Sequence, residues 1–279
     1  MSTNTTSGTT ASLSPRTGTR RSTSTSTSAG AGAGPGTVVS PHILDNPVWA
    51  SLSGPHASFA ERTARTGTGP SAAGAARYPS DVSPFAALAD PADPDSWAEL
   101  HGLIGDGGTA GLAGGLTPPA DWETVASLHG VQLVDTALRA EPAPEAVWLG
   151  PRDVPEILAL IELTKPGPFL ARTVELGTYL GIRHRGRLIA MAGERLRPPG
   201  WTEISAVCTH PDHQGRGLAT RLVRAVAAGI RERGDVPFLH TAASNTTAIR
   251  LYESIGFTLR SRPSFLAVRA PGNTAANCS

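Results

Sequence analysis

The run His210, Pro211, Asp212, His213, Gln214, Gly215, Arg216, Gly217, Leu218, Ala219 is the densest concentration of groups that could bind an anion. Two glycines one residue apart let the backbone turn tightly and approach a ligand closely. A helix that starts here has first-turn N–H groups with no internal acceptor, and its dipole is positive at that end. Together these make a site for phosphate oxygens, with Arg216 available for a charged contact. The same residues also fit an ordinary strand-to-helix turn, since Gly-x-Gly alone is weak evidence. No Gly-Lys-Ser/Thr follows, which excludes a Walker loop. Leu218, Ala219 and Thr220 follow Gly217, so the third glycine of a dinucleotide fingerprint is missing. Cys208, His210 and His213 superficially resemble a metal cluster. Pro211 and the phosphate-binding reading argue against three convergent ligands, no fourth is apparent, and no metal is expected. Cys208 reads as a small buried strand residue rather than an acyl-carrying nucleophile.

The elements needed to hold this loop are legible around it. Residues 204–209 read as a strand leading in. Leu218, Leu222, Val226 and Ile230 recur every fourth residue, with Val223 and Ala227 beside them, and define one face of a long helix stopped by Gly234. Residues 237–241 read as the next strand. Ser244 is the expected cap of a helix whose Ala248, Leu251, Tyr252 and Ile255 share a face, with Gly256 ending it. Residues 257–269 supply a last strand or hairpin. Upstream, residues 146–149 read as a strand and Asp153 as the cap of a helix to about Leu163. Residues 177–183 and 187–195 read as strands around a turn at His184, Arg185 and Gly186. The order β-α-β-β-β-α-β-α-β predicts an α/β fold, a mixed sheet with helices on its faces.

Gln214-x-x-Gly217-x-Ala219 is similar to the Gln/Arg-x-x-Gly-x-Gly/Ala signature of the GNAT superfamily of acyl-CoA-dependent N-acyltransferases. Asn245-x-x-Ala248-x-x-x-Tyr252-x-x-x-Gly256-Phe257 resembles that superfamily's last helix and final strand. The resemblance covers residues 144–270 and is to bacterial members with a degenerate N-terminal half and a C-terminal catalytic domain. It implies a mostly antiparallel sheet flanked by helices, and acetyl-CoA as the acyl donor. CoA pyrophosphate would rest on the backbone of Gln214, Gly215, Arg216, Gly217, Leu218 and Ala219. The pantetheine arm would run beside residues 206–209, with the acetyl carbonyl polarised by an N–H near Val207 or Cys208. Asn245 and Tyr252, two helical turns apart, would face the cofactor. Tyr252 is the implied general acid for the departing thiolate, although a core aromatic on an amphipathic helix explains the same residue. Glu203, eleven residues before Gln214, is the candidate base; a solvated strand-end carboxylate is the alternative, and a water chain can do the same work. Glu162 and Glu175 fall where acceptor loops sit in this superfamily. The implied acceptor is a primary amine, on a small molecule or a protein, acetylated by direct attack in a ternary complex. The alternatives are an inactive acyl-CoA-binding regulatory module and a nucleotide-binding protein.

Composition limits the remaining classes. Residues 1–36 hold eight Ser, ten Thr and six Gly, no acidic or aromatic residue, and only Arg16, Arg20 and Arg21 as charges. Such a stretch has little apolar surface to offset about 1–2 kcal/mol per residue of backbone ordering, so a disordered tail is expected. The other 243 residues carry 21 basic and 23 acidic groups, so the formal +1 of the chain belongs to the tail. A nearly neutral body argues against a broad nucleic-acid binder. No apolar run approaches the ~18 residues of a membrane span. Ser-Thr repeats follow Arg20-Arg21 where an export signal needs an apolar stretch. Two cysteines, Cys208 and Cys278, fit a reducing compartment, and a cytoplasmic protein is expected. The expected organisation is a tail at 1–36, an irregular α+β half at 37–143 (which the resemblance offers as a degenerate GNAT-like unit), the catalytic domain at 144–270 and a short tail at 271–279. Oligomeric state is not encoded in any motif.

Overall fold

The computed structural model describes residues 42–63 and 74–272. The tail expected at 1–36, Cys278 and residues 273–279 lie outside them. The described residues belong to one compact unit. Its first elements are α1 (Pro47–Leu52), a two-stranded ribbon of β1 (Ala75–Arg77) and β2 (Ala86–Leu88), and α2 (Pro94–Ile104). Asn46 caps α1 by accepting from the Trp49 N–H, and Asp93 caps α2 from Asp95 N–H; each helix then has Pro in its first turn, where no N–H is missed.

The main sheet has nine strands. Its members are β3 (Thr109–Gly114), β4 (Glu123–Asp135), β5 (Val147–Leu149), β6 (Tyr179–His184), β7 (Arg187–Glu194), β8 (Trp201–Thr209), β9 (Val236–Ala242), β10 (Phe257–Ser261) and β11 (Ser264–Arg269). The helices between them are α3 (Val154–Thr164), α4 (Leu218–Glu232) and α5 (Thr246–Ser254). Across the sheet the order is β3-β11-β4-β9-β8-β7-β6-β5, with β10 also on β4. Every pairing is antiparallel except β8 with β9. This is the mixed, mostly antiparallel sheet the motifs implied.

Side chains alternate between the two faces of each strand. Ile204, Leu239, Val131 and Leu133 pack under α4 and α5 on one face. Their neighbours Glu203, Phe238, His240 and Gln132 therefore point to the other, where α3 and the segment around α1, β1 and β2 pack. The Arg185 and Gly186 backbones, at φ 50° and 80°, close the β6–β7 hairpin at the turn expected there.

Two details depart from the sequence reading. Residues 257–269 form no hairpin: β10 and β11 run end to end along one edge of β4, because Pro263 interrupts the ladder. The boundary expected at 143/144 does not divide the sheet, since β4 lies between β9 on one side and β10 and β11 on the other. Residues 130–134 lie in a 13-residue strand, and their partners are more than a hundred residues away. Among the described residues no helix is long and apolar enough to cross a membrane.

Candidate functional site

Parallel strands β8 and β9 are paired only from Trp201↔Val236 to Ile204↔Leu239, after which both continue without meeting. The separation begins at a bulge: Met191 pairs with Cys208 and Gly193 with Ser205, so Ala206 and Val207 stand opposite Ala192 alone. Ala206 sits at φ 53°, a left-handed conformation that costs a non-glycine residue about 1–2 kcal/mol. Past the bulge, the β9-facing edge of β8 has backbone groups without a strand partner, as an extended ligand arm would require.

The loop after β8 leads into α4. Pro211–His213 is a single 3-10 turn, held as His210 Nδ1 accepts from the Asp212 N–H at 3.2 Å. Gly215 and Gly217 have φ 73° and 70°, and Gly217 occupies the cap position of α4. No acidic residue lies in the first turn of α4, so the positive end of its dipole is uncompensated from within the helix. Leu218 is buried in the core, while Gln214, Gly215, Arg216 and Gly217 are exposed and Ala219 is half-buried. The Arg216 guanidinium donates to the Asp212 carbonyl at 3.3 Å. The His184 and His213 rings lie 5.2 Å apart, and those of His210 and His213 5.8 Å apart, beside Arg187 and Arg216 in a small cationic hollow.

Asn245 corrects the expected helix cap. It, not Ser244, starts α5, its Oδ1 accepting from the Ala248 N–H at 3.1 Å. Tyr252 is buried on α5 with its ring edge-on to Phe257. Burial, with the nearby Cys208 adding to it, pushes its phenol up to about 12. Cys208 is itself buried, and its thiol is pushed up to about 11, which keeps it a thiol at neutral pH.

Glu203 is not at a strand end in solvent. It lies within β8, fully buried, and its carboxylate receives Arg195 Nε at 2.9 Å and Arg195 Nη2 at 2.7 Å. His240 Nδ1 is 2.7 Å from the same carboxylate. Burial alone would raise this carboxyl; the Arg195 charge and the hydrogen bonds from His240 and Arg195 win, holding it at about 2. Arg260 donates to Gln132 Oε1, so the Gln132 amide nitrogen faces Leu44 O and His240 Nε2. That polarity places the His240 proton on Nδ1, towards Glu203. Arg195 and His240 were missed in the sequence, where nothing local ties them to Glu203. Glu162 pairs with Lys165 and Glu175 with Arg172 on the surface, away from this network.

On the Glu203 face lies a cavity of about 590 Å³. Its walls include Thr241 and Ala242, past the last β8 pairing of β9, and Pro166, Gly167 and Pro168, which follow α3. Thr241 and Ala242 belong to the part of β9 that no longer pairs with β8, so the cavity reaches the β9 side of the opening between the strands; among the described residues none of β8 lines it.

With this geometry in view, residues 179–266 match the family model described as FR47-like protein. A crystal structure of a GNAT-family protein from Novosphingobium aromaticivorans DSM 12444 is 39% identical and superposes with a TM-score of 0.72, covering 84% of this chain and all of that one. The chain belongs to the GNAT family of acetyltransferases. The GCN5-related N-acetyltransferase from Kribbella flavida shares the fold at 16% identity and a TM-score of 0.53, over 82% of this chain and 98% of its own. Among curated relatives, this GNAT chain is 38% identical over 82 residues to the N-alpha-acetyltransferase RimI of Mycobacterium tuberculosis, and 40% identical over 93 residues to the mycothiol acetyltransferase of Thermobispora bispora. Those stretches are 28% and 33% of this chain, and span about half (51%) of RimI and 30% of the mycothiol enzyme.

Proposed function

We propose that the protein transfers an acetyl group from acetyl-CoA to a primary amine by direct attack in a ternary complex. The observation that carries this reading is the opening between β8 and β9, which starts at the Ala206 bulge and ends at the glycine turn of α4. The residues fit the donor: the exposed turn at 214–217 and the first-turn backbone N–H groups of α4 for pyrophosphate, with Arg216 alongside, and an unpaired β8 edge for the pantetheine amides. The Val207 or Cys208 N–H would meet the thioester oxygen as it gains charge. Asn245 contributes by fixing the start of α5, and so the placement of Tyr252 two turns on.

The amine nitrogen bonds to the carbonyl carbon, the C–S bond breaks, and the nitrogen's proton must leave while the thiolate gains one. Tyr252, protonated at neutral pH, fits the acid. Glu203 fits a positioning role better than that of base, since its oxygens are occupied and its proton affinity is low. The amine proton then leaves through a water chain in the open cavity. The acetylated groups named for RimI and the mycothiol enzyme support an amine acceptor of some kind.

The test is free-thiol release from acetyl-CoA over a panel of amines. Tyr252→Phe is expected to lower kcat about 10²–10⁴-fold with acetyl-CoA affinity retained. Undiminished turnover in that variant would remove Tyr252 as the acid. Tight acetyl-CoA binding with no turnover on any amine would favour a regulatory module.

A further inference from the structure

The 590 Å³ cavity is within the size range of small-molecule sites, and its lining selects the kind of amine it can take. Phe85 and Phe265, 6.3 Å apart between centroids, form one wall with Leu128 and Ile104 nearby. Phe265 reaches this place because Gly130 has no side chain: a Cβ there would lie 2.5 Å from the ring. Among the described residues, no Asp or Glu lines the cavity. The charged groups that do line it already have partners, Arg195 with Glu203 and Arg77 with Glu61. Arg195 also lies 5.2 Å over the Phe85 ring.

An ammonium group entering such a space loses water and finds no carboxylate, which favours the uncharged amine that attack requires. One such group can be delivered as the free base at the strand opening. A second, fixed on the same molecule, would remain charged with no carboxylate among the described lining residues to pair with it. Resting on the acetyltransfer reading, we propose that this cavity is the acceptor site and takes a small primary amine on an apolar, ring-bearing body with no second positive charge. Polyamines and lysine-rich peptides are the classes it rejects.

Phenethylamine, spermidine and a lysine-containing peptide are the probes, assayed by thiol release with the full chain and with Leu128→Asp. Leu128 is about half exposed (49%) on β4, so the substitution adds a carboxylate to the wall without opening the core. Wild type is expected to favour phenethylamine over spermidine by at least about tenfold in kcat/KM, and Leu128→Asp to narrow or reverse that ratio. Preference for spermidine or the peptide, or a ratio unmoved by Leu128→Asp, overturns the proposal while leaving acetyltransfer intact. Calorimetric titration of phenethylamine into CoA-saturated protein separates the two readings. Saturable binding, weakened in Leu128→Asp, with no thiol release from any amine would uphold the cavity assignment and sink acetyltransfer. Absence of both binding and turnover with phenethylamine overturns the proposal.

Discussion

Replacing Glu203 with Gln would leave the Arg195 guanidinium buried beside a group that cannot carry its countercharge. Breaking a buried pair from one side costs about 3–5 kcal/mol, far more than any surface ion pair of this chain is worth. Glu203→Gln is therefore expected to lower the urea midpoint markedly. The pH dependence has a definite sign. The folded-state pKa is depressed to about 2 from 4.5, so the carboxylate's contribution is complete above about 4.5 and drains away as pH falls towards 2. Wild type should thus lose stability through that window faster than the variant does, as followed by urea titrations at several pH values. Parallel pH profiles for both proteins would show that the pair is not the acid-sensitive group. At this scale the sequence was legible where partners are local. Gln214 to Ala219 and the Asn245–Tyr252 spacing are read within single turns or helices. Glu203 could be picked out by its distance from the loop, but its setting could not, because His240 reaches it from another strand, 37 residues on.

The glycine turn and the bulge are the two places where an element's backbone serves the site rather than its own regularity. Gly217 has nothing within 4 Å of where a Cβ would stand, so Gly217→Ala isolates the conformational term. Holding Ala at φ 70° costs about 1–2 kcal/mol, or lets the turn relax out of shape. We expect Gly217→Ala to lower Tm by several degrees and to weaken acetyl-CoA binding, measured by thermal denaturation and calorimetry. If neither moved, the turn would have no part in anion binding. The helices and most strands were legible from period and punctuation: α4 declared itself through its four-residue apolar repeat, the hairpin through Arg185-Gly186. The bulge at Ala206 was hidden, since a small residue in a strand carries no mark of positive φ. The fusion of β10 and β11 along a single edge was hidden too, because Pro263 signals a break without saying where the chain goes next.

Over the whole molecule, the long strand β4 joins what the sequence presents as two halves. Composition changes near Pro144, which is why a boundary looked natural there; hydrogen bonding ignores it. A fragment starting at residue 144 would lose β3 and β4, leaving β9, β10 and β11 with open edges and the cavity without Phe85, Ile104 and Leu128. Such a fragment is expected to aggregate or to lack a cooperative unfolding transition by circular dichroism, and a soluble, acetyl-CoA-binding fragment would contradict this. The placement of β4 also sets an order of events during folding. Glu123 meets Arg269 across 146 positions, and Gly130 meets Ala242 across 112. Closing loops of that length adds little to the final free energy but slows the search for the native pairing. The glycine turn and α4 depend on near neighbours and can form early. β9, the second wall of the opening beside them, is fixed in place only once it has found β4, so the opening is completed among the last steps of folding.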